Sequence, residues 1–188
     1  MLLTRRSLLT GTLATAALGA GTPATSARAR IAYLKPYISP QLRMRNAHTG
    51  DRLSTRFWTG HDFDPVQVRR VDWFMRDWRE QLIQRMDRDL FWGLAAISDY
   101  ARRRGVEPEI LVLSGFRCRK TNDMLRATGH GAVPNSRHLK GQAVDLVIPG
   151  LPVEETFDFC MTLELGGVGH YPGNFIHIDT GPVRSWTG

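Results

Sequence analysis

Hydrophobic and polar positions along this chain follow two periods. After Asp64-Pro65, apolar residues recur every three or four positions at Val68, Val71, Met75, Trp78 and Leu82. That spacing makes one stripe on an α-helix. Asp64 supplies a side-chain acceptor for the free N–H groups at the helix start, and Pro65 loses no hydrogen bond at the first turn. The pattern predicts a helix running through Leu82, with Arg69, Arg70, Arg76 and Arg79 on its solvated face. A second helix is predicted after Asp87 or Asp89, burying Leu90, Leu94, Ile97 and Ala101 and stopping at Gly105. Residues 120–127 read as a short third helix, with Asn122 bonding back to the loop. Pro152 opens a fourth, with Glu154 and Glu155 in the first turn, where negative charge is favoured, and Phe157, Cys160 and Met161 facing inward.

Period two marks the strands. Residues 43–46 and 53–58 predict a hairpin turned by Thr49-Gly50-Asp51, and residues 109–113 a short strand of branched apolar side chains. Along residues 142–148, Ala143 and Asp145 share one face while Val144 and Leu146 take the other. Residues 168–171 and 175–179 predict a hairpin around Pro172-Gly173-Asn174, with Phe175, His177 and Asp179 on one face. The tail from Pro182 has no predicted element, and its Trp186 is expected to cover the core or a cleft. The chain is long enough to enclose one core.

The first 29 residues have a different character. Arg5 and Arg6 precede a modestly apolar, Ala- and Gly-rich run, and Ala27-Arg28-Ala29 is a small-x-small cleavage signal. Residues 1–29 read as an export signal, and Thr4-Arg5-Arg6-Ser7-Leu8-Leu9 resembles the twin-arginine type. The run is too short and Gly-rich for a membrane-spanning helix. The domain proper is then 30–188, in the periplasm. The formal charge of +7 falls to about +4 once Arg5, Arg6 and Arg28 are removed, a surplus that reads as a solvated basic surface. No basic stripe interleaved with aromatics points to nucleic acid. Cys118 and Cys160 are too few for a disulfide scaffold, and either a pair or two buried thiols fits their spacing.

The chemistry lies in polar residues set within apolar strands. A buried carboxylate such as Asp145 is costly without a partner. Either a metal or an arginine would satisfy it. His138, Asp145 and His177 together offer two imidazoles and a carboxylate, a set that leaves a fourth zinc position open. Arg117, just past the strand 109–113, serves either to face a cleft and bind a carbonyl or carboxylate, or to brace the following loop. His48 and His130 lie in turn or loop segments and read as solvated.

Residues 136–145, Ser-Arg-His-Leu-Lys-Gly-Gln-Ala-Val-Asp, match the pattern Ser-x-His-x-x-Gly-x-Ala-x-Asp at every fixed position. That pattern resembles the M15 zinc peptidases of the LAS superfamily. Asn46-Ala47-His48-Thr49-Gly50-Asp51, Ser114-Gly115-Phe116-Arg117 and the run from Gly166 through Pro172 into residues 175–181 resemble, in order, its YcbK-like, murein endopeptidase K branch. The resemblance implies an α+β fold, with helices packed on a small antiparallel sheet that carries a Zn2+ site of His138, Asp145 and His177. It implies a monomeric periplasmic endopeptidase that cuts peptidoglycan cross-links between stem peptides, with zinc activating a water toward the amide carbonyl. Arg117 and Ser136 would contact substrate. Many M15 members carry the general base three residues before the last zinc histidine, where this chain has Asn174. Asp179 then stands as the base or as the partner that orients His177, and His170 as the other candidate base. A D,D- or L,D-carboxypeptidase trimming stem peptides, or a non-catalytic zinc-containing wall-binding domain, are the alternative readings.

Overall fold

The computed structural model describes residues 27–188, with side chains from Arg30 onward. The expected export signal lies outside them except for Ala27–Ala29, the start of the first helix, α1 (Ala27–Leu34). The predicted hairpin forms from β1 (Gln41–Asn46) and β2 (Arg52–Arg56). Asn46 closes its turn by accepting the N–H groups of His48 and Thr49 on Oδ1. Five further strands follow: β3 (Glu109–Ser114), β4 (Ala143–Val147), β5 (Gly167–Tyr171), β6 (Phe175–Asp179) and β7 (Arg184–Thr187). They make one sheet in the order β2-β1-β3-β4-β6-β5-β7.

Four of the pairings are antiparallel, while β1/β3 and β5/β7 are parallel. The sheet is therefore larger and more mixed than the small antiparallel one expected. Period two reports which face a side chain takes, not which way a neighbouring strand runs. The connection from β1 to β3 passes through α2 (Pro65–Phe74) and α3 (Arg88–Arg103), the kind of crossover a parallel pair requires. Strand β7 comes from the tail that had no predicted element.

One sheet face is apolar. Leu42, Met44, Ile110, Val112, Val144, Leu146, Ile176 and Ile178 form a single core with Leu90, Leu94 and Ile97 of α3 and with α5 (Val153–Leu163). Asp87 caps α3 by accepting the Asp89 N–H, and its other oxygen takes the Thr180 hydroxyl at 2.7 Å, tying the helix start to the end of β6. Helix α4 (Arg119–Ala127) forms where expected; Asn122 is fully buried, and its Nδ2 donates forward to Val133 O in the loop after the helix.

The helix after Asp64 starts as predicted, with Asp64 accepting from Val66 and Gln67 N–H, but it ends at Phe74 instead of reaching Leu82. The cause is tertiary. Met75 O accepts the Phe116 N–H at 2.8 Å instead of continuing the helical ladder. Gly115 permits this approach, since a Cβ there would lie 2.6 Å from Met75 O. Asp77 then accepts the N–H groups of Arg79 and Cys118, and a bridge from Asp77 to Leu82 closes the segment. Leu82 is thereby exposed. Arg76, expected on a wet face, is buried instead, with its guanidinium 3.0 Å from Asp51 and 3.9 Å over the Trp73 ring.

Candidate metal centre

The register of the sheet assembles most of the site. Asp145 of β4 pairs with His177 of β6, His177 with Gly169 of β5, and Gly169 with Trp186 of β7. Residues directly opposite on paired strands share a face, so this row lies on the side away from the core. His138 arrives from the 3-10 turn Arg137–Lys140, whose start Ser136 caps by accepting the His138 N–H. Gly141 ends the turn at φ 65, pressed against Arg85 O, where a side chain would be both strained and blocked.

The side chains converge on one point. Asp145 Oδ1 lies 2.8 Å from His177 Nδ1 and 3.2 Å from His138 Nε2, and the two ring nitrogens are 3.2 Å apart. The outer nitrogens are both engaged: His138 Nδ1 donates to Gly115 O at 2.6 Å, and His177 Nε2 to Asp179 Oδ2 at 3.2 Å. With their protons committed outward, the inner nitrogens turn lone pairs toward the Asp145 oxygen. Three lone-pair donors in so small a space require a positive charge between them, a proton or a metal cation. Tetrahedral zinc, with bonds of about 2.0–2.1 Å, holds its ligands about 3.3 Å apart. The three donors already stand close to that spacing, so they fit zinc. Among the described residues, this is the cluster of three such ligands.

Electrostatics agrees with geometry. Burial holds His138 below the ordinary histidine range, outweighing Asp145, so its ring stays neutral. Burial acts the same way on His177, but its bonds to Asp145 and Asp179 raise it overall. Burial pushes the Asp145 carboxyl upward, yet the rings of His138 and His177 beside it hold it well below the usual carboxylate range. The two carboxylates beside the His177 ring favour its positively charged form.

Other expected residues fall around this centre. Arg117 lines the cleft, with Nη2 3.5 Å from Asp145 Oδ2, while its main-chain N–H braces the loop on His138 O. Burial lowers its guanidinium from the usual value, against the pull of Asp145, and its Nε has no hydrogen-bond partner among the described residues. Ser136 is buried at the cleft wall. Asp179 is buried with both oxygens bonded: Oδ1 accepts from Gly167 N, Gly181 N and Arg184 Nη1, and Oδ2 from His177 and Arg184 Nη2. His170 is not brought to the cluster. It is one residue out of phase with Gly169, so it faces α5, stacked 4.8 Å from the Phe157 ring and 3.7 Å from Glu154. Asn174 lies in the β5–β6 turn, its N–H donating to Tyr171 O. Cys118 and Cys160 are separate free thiols, and burial pushes that of Cys160 up.

The cleft over the cluster, about 600 Å³, also takes in Arg137, Tyr171, Phe175, Arg184 and Trp186. Of these, only Trp186 was expected near a cleft. The alternation of Arg184, Ser185 and Trp186 is too brief to announce a strand, and the glycines at 167 and 169 carry meaning only once β7 is set beside them.

A family model described as peptidoglycan L,D-endopeptidase MepK, within the M15 peptidases, matches residues 38–186. The chain is 40% identical over 173 residues to a probable peptidoglycan L,D-endopeptidase MepK of Haemophilus influenzae, covering 92% of this chain and 90% of that protein. It is 36% identical over 183 residues to the peptidoglycan L,D-endopeptidase MepK of Escherichia coli K12, covering 97% of this chain and 96% of the other. No solved structure matches the chain. The converging His138, Asp145 and His177 thus sit within a match that spans nearly all of the described residues, and the chain belongs to the M15 peptidases, in the family described as peptidoglycan L,D-endopeptidase MepK.

Proposed function

We propose that this protein is a zinc-dependent endopeptidase that hydrolyses L,D peptide cross-links of peptidoglycan. The observation that carries the reading is the convergence of three ligand atoms whose outer ring nitrogens are already bonded away from the centre. The substrate comes from the relatives, which are named for it. A zinc bound here supplies a Lewis acid for the scissile carbonyl and lowers the pKa of its water to about 7.

The chain's own groups do the rest. His138 Nε2, Asp145 Oδ1 and His177 Nδ1 would hold the metal. Gly115 O and Asp179 set the tautomers of the two rings. Both oxygens of Asp179 already accept hydrogen bonds from several donors, which favours its orienting role over that of the base. Arg117 holds its charge beside Asp145, where a developing oxyanion or a stem-peptide carboxylate would meet it. Ser136 shapes the wall by holding the turn that carries His138. Arg137 adds a cation to the cleft: among the described residues its guanidinium bonds only the neutral Gln142 Oε1, whereas Arg117 and Arg184 each face a carboxylate. An L,D bond joins the carbonyl of an L-centre to the amine of a D-centre, and a free carboxylate on that D-centre is an anion that Arg137 can bind.

Export of the chain through residues 1–29, by the twin-arginine route, would deliver the domain to its substrate. Among the described residues no helix is long and apolar enough to cross a membrane.

The test is digestion of purified peptidoglycan by the protein lacking residues 1–29, with muropeptides resolved by chromatography and mass. We expect cross-linked dimers to disappear and monomers to accumulate, and expect chelation or His138→Ala to abolish both. Shortened stems with dimers intact would establish a carboxypeptidase instead. Intact muropeptides from a folded, zinc-loaded protein would leave a wall-binding domain.

A further inference from the structure

On the face of β5 that carries the His138–Asp145–His177 side of the sheet, two of the three positions, 167 and 169, are glycine, and the third is Tyr171. Gly169 lies between His177 of β6 and Trp186 of β7. Gly167, two residues earlier, pairs with Arg184 of β7 and donates its N–H to Asp179 Oδ1 at 3.1 Å. A side chain at either position would stand in the way. A Cβ on Gly169 would come 2.6 Å from Trp186 Cζ2, and one on Gly167 would strike the Arg184 guanidinium and lie 2.6 Å from Asp179 Oδ2.

With both Cβ atoms missing, the side chains of β7 reach across β5 onto β6. Arg184 meets Asp179 with two bonds, Nη2 to Oδ2 at 2.6 Å and Nη1 to Oδ1 at 3.1 Å. The same Oδ2 accepts from His177 Nε2 at 3.2 Å. Trp186 sets its ring 5.2 Å from the His177 ring, anchored by Nε1 donating to the Tyr171 hydroxyl at 3.3 Å. Arg184 also lies 4.9 Å over the Trp186 ring, so the two β7 side chains support each other. A bidentate guanidinium fixes a carboxylate in rotation as well as position, and a buried carboxylate shared only with an imidazole would be short of positive charge.

We propose that β7 is a clamp on the third metal ligand: Arg184, acting through Asp179, and Trp186, acting by ring contact, are positioning residues that fix His177 for metal binding. The proposal rests on the metal reading above and extends it to a strand that supplies no ligand. The competing account is that Arg184 and Asp179 only tie the tail to the sheet. That tie would affect thermal stability and leave the metal's surroundings unchanged.

Cobalt(II) separates the two, because its visible absorption reports ligand geometry without any turnover. The full chain, stripped of metal, would be titrated with Co2+ as wild type, Arg184→Gln, Arg184→Lys, Trp186→Phe and Gly169→Ala, with circular dichroism and thermal unfolding of each metal-free protein alongside. We expect Arg184→Gln to weaken Co2+ binding about 10- to 100-fold and to change the absorption band. Arg184→Lys should recover part of the loss, because it restores charge without the fork. Gly169→Ala, which leaves every charge in place and displaces Trp186, should perturb the band, and Trp186→Phe should do so least. If Arg184→Gln does not fold, Arg184→Lys and Gly169→Ala carry the same comparison. A wild type that takes up no Co2+ would overturn the metal reading itself. Wild-type binding with unaltered affinity and band in the folded variants, whether or not their melting temperature falls, would overturn the clamp alone.

Discussion

The two histidines of the centre are held in opposite ways. His138 donates its outer nitrogen to a main-chain carbonyl, Gly115 O, in a loop packed against Met75 and fastened by Asp77. His177 donates its outer nitrogen to a side chain, Asp179, which is itself held by Arg184. A backbone acceptor cannot be removed by substitution, and its position depends on the packing of the whole loop. A side-chain acceptor can be removed one atom at a time. The first hold therefore links the proposed metal binding to the fold, and the second links it to a few polar contacts.

The largest effect should come from removing a ligand. His138→Ala or His177→Ala should each lose zinc, measured by metal analysis, and with it all muropeptide cleavage. Asp179→Asn cuts into the side-chain hold: an amide oxygen can still accept from His177, but the ion pair with Arg184 is gone. We expect metal affinity to fall about 10- to 100-fold in a competition titration with a chromophoric chelator. Turnover of a fully zinc-loaded Asp179→Asn protein should be largely retained if Asp179 orients the ring, and lost if it is the base.

Gly115→Ala attacks the backbone hold through the fold. The added methyl would crowd Met75 O, and overpacking of this kind costs about 1–3 kcal/mol. Urea unfolding should show that loss, and metal affinity should fall with it because Gly115 O shifts.

Asp77 gives the smallest effect and a pH signature. Burial alone would raise its carboxyl, but bonds from Thr121, Cys118 and Arg79 outweigh it and lower the folded value below 3.8. The unfolded chain thus binds the proton more readily, so Asp77 contributes stability that is fully present above about pH 4 and lost as pH falls through the lower folded value. Asp77→Asn should cost about 1–2 kcal/mol at neutral pH. The gap from wild type should shrink in urea melts taken below pH 4. A gap that stays constant with pH would mean that the carboxylate charge is not what matters at this position.

Arg137→Ala tests the cleft instead of either hold. It should raise KM for cross-linked muropeptides and leave zinc content at the wild-type level.

The signals of the individual elements were readable because they are local. Asp64-Pro65 capped a helix where predicted, alternation placed Asp145 and His177 on faces opposite to their apolar neighbours, and the pattern across residues 136–145 marked two of the three side chains that converge, His138 and Asp145. The helix end at Phe74 was not readable, because no Pro or Gly marks it and the competing hydrogen bond comes from Phe116, far along the chain. His170 shows the limit of a motif read without phase: its neighbour Gly169 shares the face of His177, and His170 itself faces α5.

What the chain determined by itself, then, was which polar residues stand among apolar ones and which face of each element they occupy, since residue type and period are properties of adjacent positions. Only the tertiary structure decided which faces meet. It set Asp145 opposite His177, folded the tail back as β7, and passed Arg184 and Trp186 over two glycines onto the ligand strand. Those contacts depend on strand register and direction, which the packing of the complete sheet selects and no single segment encodes.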